Sequence, residues 1–203
     1  MGRVNFGLSN VHYCTKSVNA QTGAVTFSTP VAWPGAVSLS LDPEGDTNTF
    51  YADNIPYAVF ETNNGFSGTL EVADIPDAVA TALLGWRTDT DGNLVETTES
   101  KLAEFCLLFE VSSNDKAMGY TYYNCILSRP NQSASTSTES SDPDTNTLDI
   151  AATPIDNGSG INVVRTRTKF ASDSARTTFF TTAPELPTFA TAGGSGGSGG
   201  SVG

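Results

Sequence analysis

Four acids crowd one short stretch, GAVSLSLDPEGDTNTFYAD at Gly35–Asp53: Asp42, Glu44, Asp46 and Asp53. Closely spaced carboxylates are what a calcium loop or an acid–base pair is built from. A calcium loop of the EF-hand type needs oxygen donors at positions 1, 3 and 5, glycine at 6 and glutamate at 12. Counted from Asp42, Glu44 and Asp46 fall at the right places. Gly45 arrives two positions early, Pro43 stiffens the second position, and Asp53 stands at position 12 instead of glutamate. An acid–base pair needs one carboxyl raised by burial, and these acids lie in polar, glycine-rich surroundings. The stretch reads as a strand, Val37–Leu41, running into a rigid turn with solvated acids, because Asp, Pro and Gly each have turn roles. A second strand follows at Asn48–Ala52.

Other catalytic chemistry finds little material. His12 is the only histidine, which removes His-based triads and multi-His metal sites. No GxSxG, GxGxxG or phosphate-binding loop occurs. The expectation is a protein that is not an enzyme, with no catalytic, cofactor-binding or metal-ligating residues. Ten basic residues against 22 acidic ones give a net charge of −12, the wrong sign for gripping nucleic-acid phosphates. Cys14, Cys106 and Cys125 form no metal-type spacing and read as buried free thiols of a reducing compartment. No apolar run is long enough to span a membrane, and no signal-peptide pattern opens the chain.

The remaining charged pattern is VVRTRTK, where Arg165, Arg167 and Lys169 alternate with threonines and share one face of a strand. In so acidic a chain this row suits an acidic surface on another chain. A solvated edge strand guarded by charge is the plainer alternative.

The elements that position these residues are mostly strands. Val37, Leu39 and Leu41 alternate with serines, and FSGTLEVA alternates in the same way, with Gly68 on its inner face marking a bulge or a close backbone approach. NNG at Asn63–Gly65 and DG at Asp91–Gly92 read as hairpin turns. EFCLLFEV is the most apolar segment and belongs at the centre. One helix is expected at about residues 76–84, with Pro76 at its start, Val79, Ala80, Leu83 and Leu84 as its apolar stripe and Gly85 just past its end. Residues 1–13 read as an arm, 130–147 as a long polar loop and 193–203 as a Gly/Ser linker. The sum is a mainly β chain of nine or ten short strands, a sandwich or barrel with one short packed helix. Residues 1–192 form its single domain.

Taken in order, PGAVSLSLDPEGDTNTFYADN, NNGFSGTLEVADIPD, the LLG helix end, EFCLLFEV, YYNCILSRP and TLDIAATP resemble the major tail proteins of long, non-contractile-tailed bacteriophages of Gram-positive hosts (siphoviruses). The similarity runs from about residue 3 to about residue 185. It implies a structural virion protein with a tail-tube-type β-sandwich or barrel, long inter-subunit loops and no cofactor. Its partners would be further copies of itself, in hexameric rings stacked into a tail tube, and the tape-measure, tail terminator and distal tail proteins. Genomic DNA would pass through during ejection without specific binding. The protein would be assembled in the host cytoplasm and reside in the virion tail, with no membrane partner.

Candidate inter-subunit contacts are Asp42, Glu44, Asp46, Arg165, Arg167 and Lys169. Segment 42–56, the N-terminal arm and loop 130–147 are the candidate ring-to-ring contacts. The net acidity is expected to concentrate on the lumen. A different class of reading is an acidic β-sandwich binding module for a carbohydrate or protein, with DPEGD and DTDGN as calcium-assisted loops.

Overall fold

The computed structural model describes residues 5–113, 117–131 and 144–189. Most of loop 130–147 and the whole Gly/Ser segment 193–203 lie outside the described residues. The strands are β1 (Asn5–Val18), β2 (Val25–Phe27), β3 (Val31–Ala32), β4 (Ala36–Glu44), β5 (Thr47–Ala52), β6 (Ile55–Glu61) and β7 (Gly65–Val72). Helix α1 (Asp77–Leu83) comes next, followed by β8 (Arg87–Thr88), β9 (Leu94–Val95), β10 (Phe105–Ser113), β11 (Met118–Leu127) and β12 (Asn146–Ala152). The chain then forms β13 (Ile155–Asp156), β14 (Asn162–Val163), β15 (Arg165–Lys169) and α2 (Asp173–Thr181). The mainly β class is as expected, while α2 is a second helix that the pattern reading did not contain.

One antiparallel sheet organises the molecule, in the order β2-β1-β10-β11-β12-β7-β4. It branches twice: β3 shares the free side of β1 with β2, and β15 shares one side of β11 with β12. The sheet curls until β1 and β4 touch. Its concave face closes over the larger core, where Val11, Tyr13, Leu70, Val72, Phe105, Leu107, Leu148 and Ile150 meet α1.

Strand β10 carries side chains alternately to two cores, since Phe105, Leu107 and Phe109 enter the larger one and Cys106 and Leu108 a smaller one. A strand covered on both faces reads as one continuous apolar run, which is why EFCLLFEV stands out. The smaller core also holds Cys14, Phe27, Tyr123, Ile155 and Val163, beneath Phe179, Phe180 and Leu186. All three cysteines are buried. Burial pushes the Cys125 thiol up to about 12 and the Cys106 thiol well above its ordinary value, so both are protonated and unreactive at neutral pH.

Helix α1 follows its sequence signals. Pro76 is the N-cap, Asp77 lies in the first turn, and Gly85 follows the Leu84 C-cap at φ +71°. Val79, Ala80, Leu83 and Leu84 are buried as their spacing requires. Helix α2 starts at Ser172, whose Oγ accepts a hydrogen bond from the Ala175 N–H. Its threonines bond back along the helix: Thr177 donates to the Asp173 carbonyl and Thr178 to that of Ser174. The helix is fastened by Arg176, whose Nε lies 2.6 Å from the buried carboxylate of Glu110. Asn10 Nδ2 donates to the same oxygen at 3.3 Å.

Four other readings are corrected. The N-terminal arm is strand from Asn5 onward, paired along β10, and residues 1–4 lie outside the described residues. Asp42-Pro43-Glu44 is not a turn but the end of β4, opposite Ser67, Phe66 and Gly65. Pro43 is tolerated because β4 is an edge strand and needs no N–H on its open side. NNG is not a hairpin turn, because the strands flanking it, β6 and β7, pair with β5 and β4 respectively. INVVRTRTKF is interrupted at Val164, which separates β14 from β15.

Gly68 marks a close approach: a Cβ added there would overlap the Ser40 carbonyl oxygen and press on Leu41. Gly68→Ala should force β4 away from β7 and destabilise the fold by about 1–3 kcal/mol, read as a lower midpoint in denaturant unfolding.

Candidate assembly surfaces

The stretch from Ala36 to Val72 is one long antiparallel ladder with a break in its middle. Its lower half, β4 with β7, belongs to the sheet; its upper half, β5 with β6, continues the ladder beyond the core. The pairing slips by one residue across the break, from Glu44 opposite Gly65 to Thr47 opposite Glu61, so the β6–β7 side carries one extra residue there. Backbone bonds clamp the junction, with Asn64 N–H donating to the Glu44 carbonyl at 2.8 Å and Thr62 N–H to that of Asp46 at 2.9 Å. Gly45 is required there, because a Cβ would overlap the Thr62 carbonyl oxygen. The true reversal is Asp53-Asn54, both at positive φ (53° and 65°), the conformation of the tight turns that suit a two-residue hairpin. So Asp53 is a turn residue at the tip, remote from Asp42 along the ladder.

This hairpin packs on no other described element to any extent. A six-residue strand rises about 3.3 Å per residue, so the arm is about 20 Å long. Phe50, Tyr51, Ile55, Tyr57, Val59 and Phe60 are each 57–73% exposed. Phe50 and Tyr57 meet edge to face with centroids 6.4 Å apart. Phe60, opposite Asn48, and Ile55, opposite Ala52, lie on the same side as Phe50. That face is almost wholly apolar. The other carries Tyr51 and Val59 between Thr47, Thr49 and Glu61. Single exposed hydrophobics are ordinary, but a contiguous set marks an interaction site.

The convex face of β4-β7-β12 is a second surface. Its rows run Ser38–Glu71–Thr147, Ser40–Thr69–Asp149 and Asp42–Ser67–Ala151. The side chains are small and polar, and no lysine or arginine stands in these rows. Glu71 accepts from Thr145 at 2.7 Å and from Ser38 at 2.9 Å. These hydroxyls hold its carboxyl below the usual range, so it stays ionised.

The six sequence-derived residues divide between two edges. Asp42 and Glu44 lie on edge strand β4, with Glu44 accepting from the Ser67 hydroxyl, and Asp46 sits at the root of the arm. Arg165, Arg167 and Lys169 share a face of β15, as their spacing requires. Arg165 is partly spoken for within the chain: its guanidinium lies 4.5 Å over the Phe66 ring and donates to the Tyr122 hydroxyl at 3.1 Å.

The second acidic turn, DTDGN, is organised around Asp89. Its Oδ1 accepts from the N–H groups of Asp91 and Asn93, and Oδ2 accepts from the Asn93 side chain. That use of the carboxylate closes the β8–β9 loop. Among the described residues no group of three or more His, Cys, Asp or Glu side chains could hold a metal ion. No described helix is long and apolar enough to cross a membrane.

The apolar arm is what pattern reading missed. The signal at Asn48–Ala52 identified a strand, but not that no other described element would cover it. No protein-family model matches the chain, and no curated protein matches it.

Because the arm's large side chains touch so little, their loss should leave the fold intact. Phe50→Ser, Tyr57→Ser and Phe60→Ser combined should move the unfolding free energy of the monomer by no more than about 0.5 kcal/mol, checked by urea titration followed by circular dichroism.

Proposed function

We propose that this chain is a structural subunit of a phage tail tube, self-assembling into stacked hexameric rings with neither catalysis nor cofactor. The observation that carries the reading is the β5–β6 arm: a rigidly rooted hairpin with an apolar face and no cover among the described residues. An isolated two-stranded hairpin is marginal in water, and this one gains stability when another body covers it. Fully burying one large apolar side chain contributes roughly 1.5–3 kcal/mol. With roughly six-tenths of their surface still open, Phe50, Ile55, Tyr57 and Phe60 together supply roughly 4–8 kcal/mol by that scale, against the freedom lost on association. The likeness of the sequence motifs to tail tube proteins supplies the class of assembly. In it the arm of one ring is the contact to the next.

The convex β7–β12 surface supports the conduit role. Its central acids, Glu71 and Asp149, stand among serines and threonines. Such a wall repels phosphates within about 8 Å at physiological salt and offers no side chain to grip them. The polymer would surround the tape-measure protein and end on the terminator and distal tail proteins.

Negative-stain electron microscopy of the purified chain tests this. Hollow filaments or rings of uniform diameter are the expected result, and the Phe50→Ser, Tyr57→Ser, Phe60→Ser chain should remain monomeric or stop at single rings. A wild-type chain that stays monomeric and gains melting temperature with calcium would favour the binding-module reading instead.

A further inference from the structure

Two sets of exposed charges lack a partner of opposite sign among the described residues. Arg165, Arg167 and Lys169 line one face of β15, and none of them makes an ion pair. Arg165 is held in place by Phe66 and Tyr122, which leaves Arg167 and Lys169 the freer members of the row. At the other edge, Asp42, Glu44 and Asp46 are exposed and likewise unpaired with any cation. With 10 basic residues against 22 acidic ones, a row of three unpaired cations is the scarce half of any such match. Both rows belong to open strand edges or run on from one, where charge decides which chains may approach.

The geometry points to a head-to-tail contact between copies of this chain, in which the β15 row of one copy receives the Asp42–Asp46 segment of the next. It rests on the tail-tube reading only in that copies of the chain must associate. The two patches are different surfaces, so the contact is heterologous: each copy gives one and receives one, and the series closes as a ring when the rotation allows. Exposed pairs are individually weak and screened by salt. Their effect falls on partner choice, orientation and association rate. Asp46 leads directly into β5, so seating the acidic segment also fixes where the neighbouring copy's apolar arm begins. Edge acids thus face a neighbour, and the central acids Glu71 and Asp149 are left to the open face.

Charge reversal tests this. One chain carries Asp42→Lys and Asp46→Lys; a second carries Arg167→Glu and Lys169→Glu. All four sites are exposed, and circular dichroism with thermal melting verifies that each chain folds. Each alone should associate about tenfold more weakly, or worse, by light scattering at low salt. Mixed in equal amounts they should assemble again as alternating copies, and one chain carrying all four reversals should assemble alone. If both reversed chains assemble like wild type, or mixing restores nothing, the contact is overturned while the tail-tube reading stands. If wild type forms only two-fold dimers, the head-to-tail contact is overturned together with the ring assembly. A wild-type chain that never associates overturns both.

Discussion

Burial of β10 on both faces is the constraint from which the rest of the architecture follows. Phe105, Leu107 and Leu108 are at most 1% exposed, and their side chains alternate between two cores. A strand with that pattern needs a neighbour along each edge and cover on each face. Strands β1 and β11 supply the edges. On one face the sheet curls back on itself and takes in α1; on the other, the β13–β14 pair and α2 lie across. The Glu110–Arg176 pair ties the outer cover to this strand, since Glu110 is itself a β10 residue and almost wholly buried. An ionised carboxylate in that position requires its guanidinium partner, so α2 is held by charge as well as by Phe179 and Phe180.

The same sheet explains why the chain has an arm. The β4–β7 ladder runs alongside the larger core only as far as Leu41 and Phe66. Beyond that point the hydrogen-bonding continues but the core does not. The two strands therefore leave the body together, still paired after a one-residue slip at the junction. Gly45 and the backbone bonds at the junction make the exit definite rather than slack. Aromatic side chains placed past the end of the core keep only each other, as Phe50 and Tyr57 do, and stay more than half exposed.

Much of this was legible in residue order. The period-two alternation of Val37–Leu41 and Phe66–Val72 identified two strands that do pair. Proline and trailing glycine located α1 to within a residue at each end. Gly68 on an inner face was read as a bulge or a close approach, and the structure shows the close approach, to the Ser40 carbonyl. What misled were local signals overruled by pairing. Asp-Pro-Glu-Gly has strong turn chemistry, yet an edge strand absorbs a proline without losing a ladder bond. Asn-Asn-Gly has the same chemistry, yet the reversal went to Asp53-Asn54, which also accepts positive φ. Helix α2 was hidden by its threonines, whose β-branching favours strands until their hydroxyls find helix carbonyls.

Composition and periodicity by themselves determined the mainly β class, the identity of the central strand, the position of α1 and the sharing of one face by Arg165, Arg167 and Lys169. These are consequences of side-chain spacing along a chain, and spacing is written in the sequence. Only the tertiary structure decided that the acids at 42–46 lie on and beyond an edge strand, that Arg165 rests on Phe66, and that Phe50, Tyr57 and Phe60 are left mostly exposed among the described residues. Those facts depend on which strands become neighbours and where the core ends. A hydrophobic side chain in a strand pattern reads the same whether the chain that covers it is its own or another.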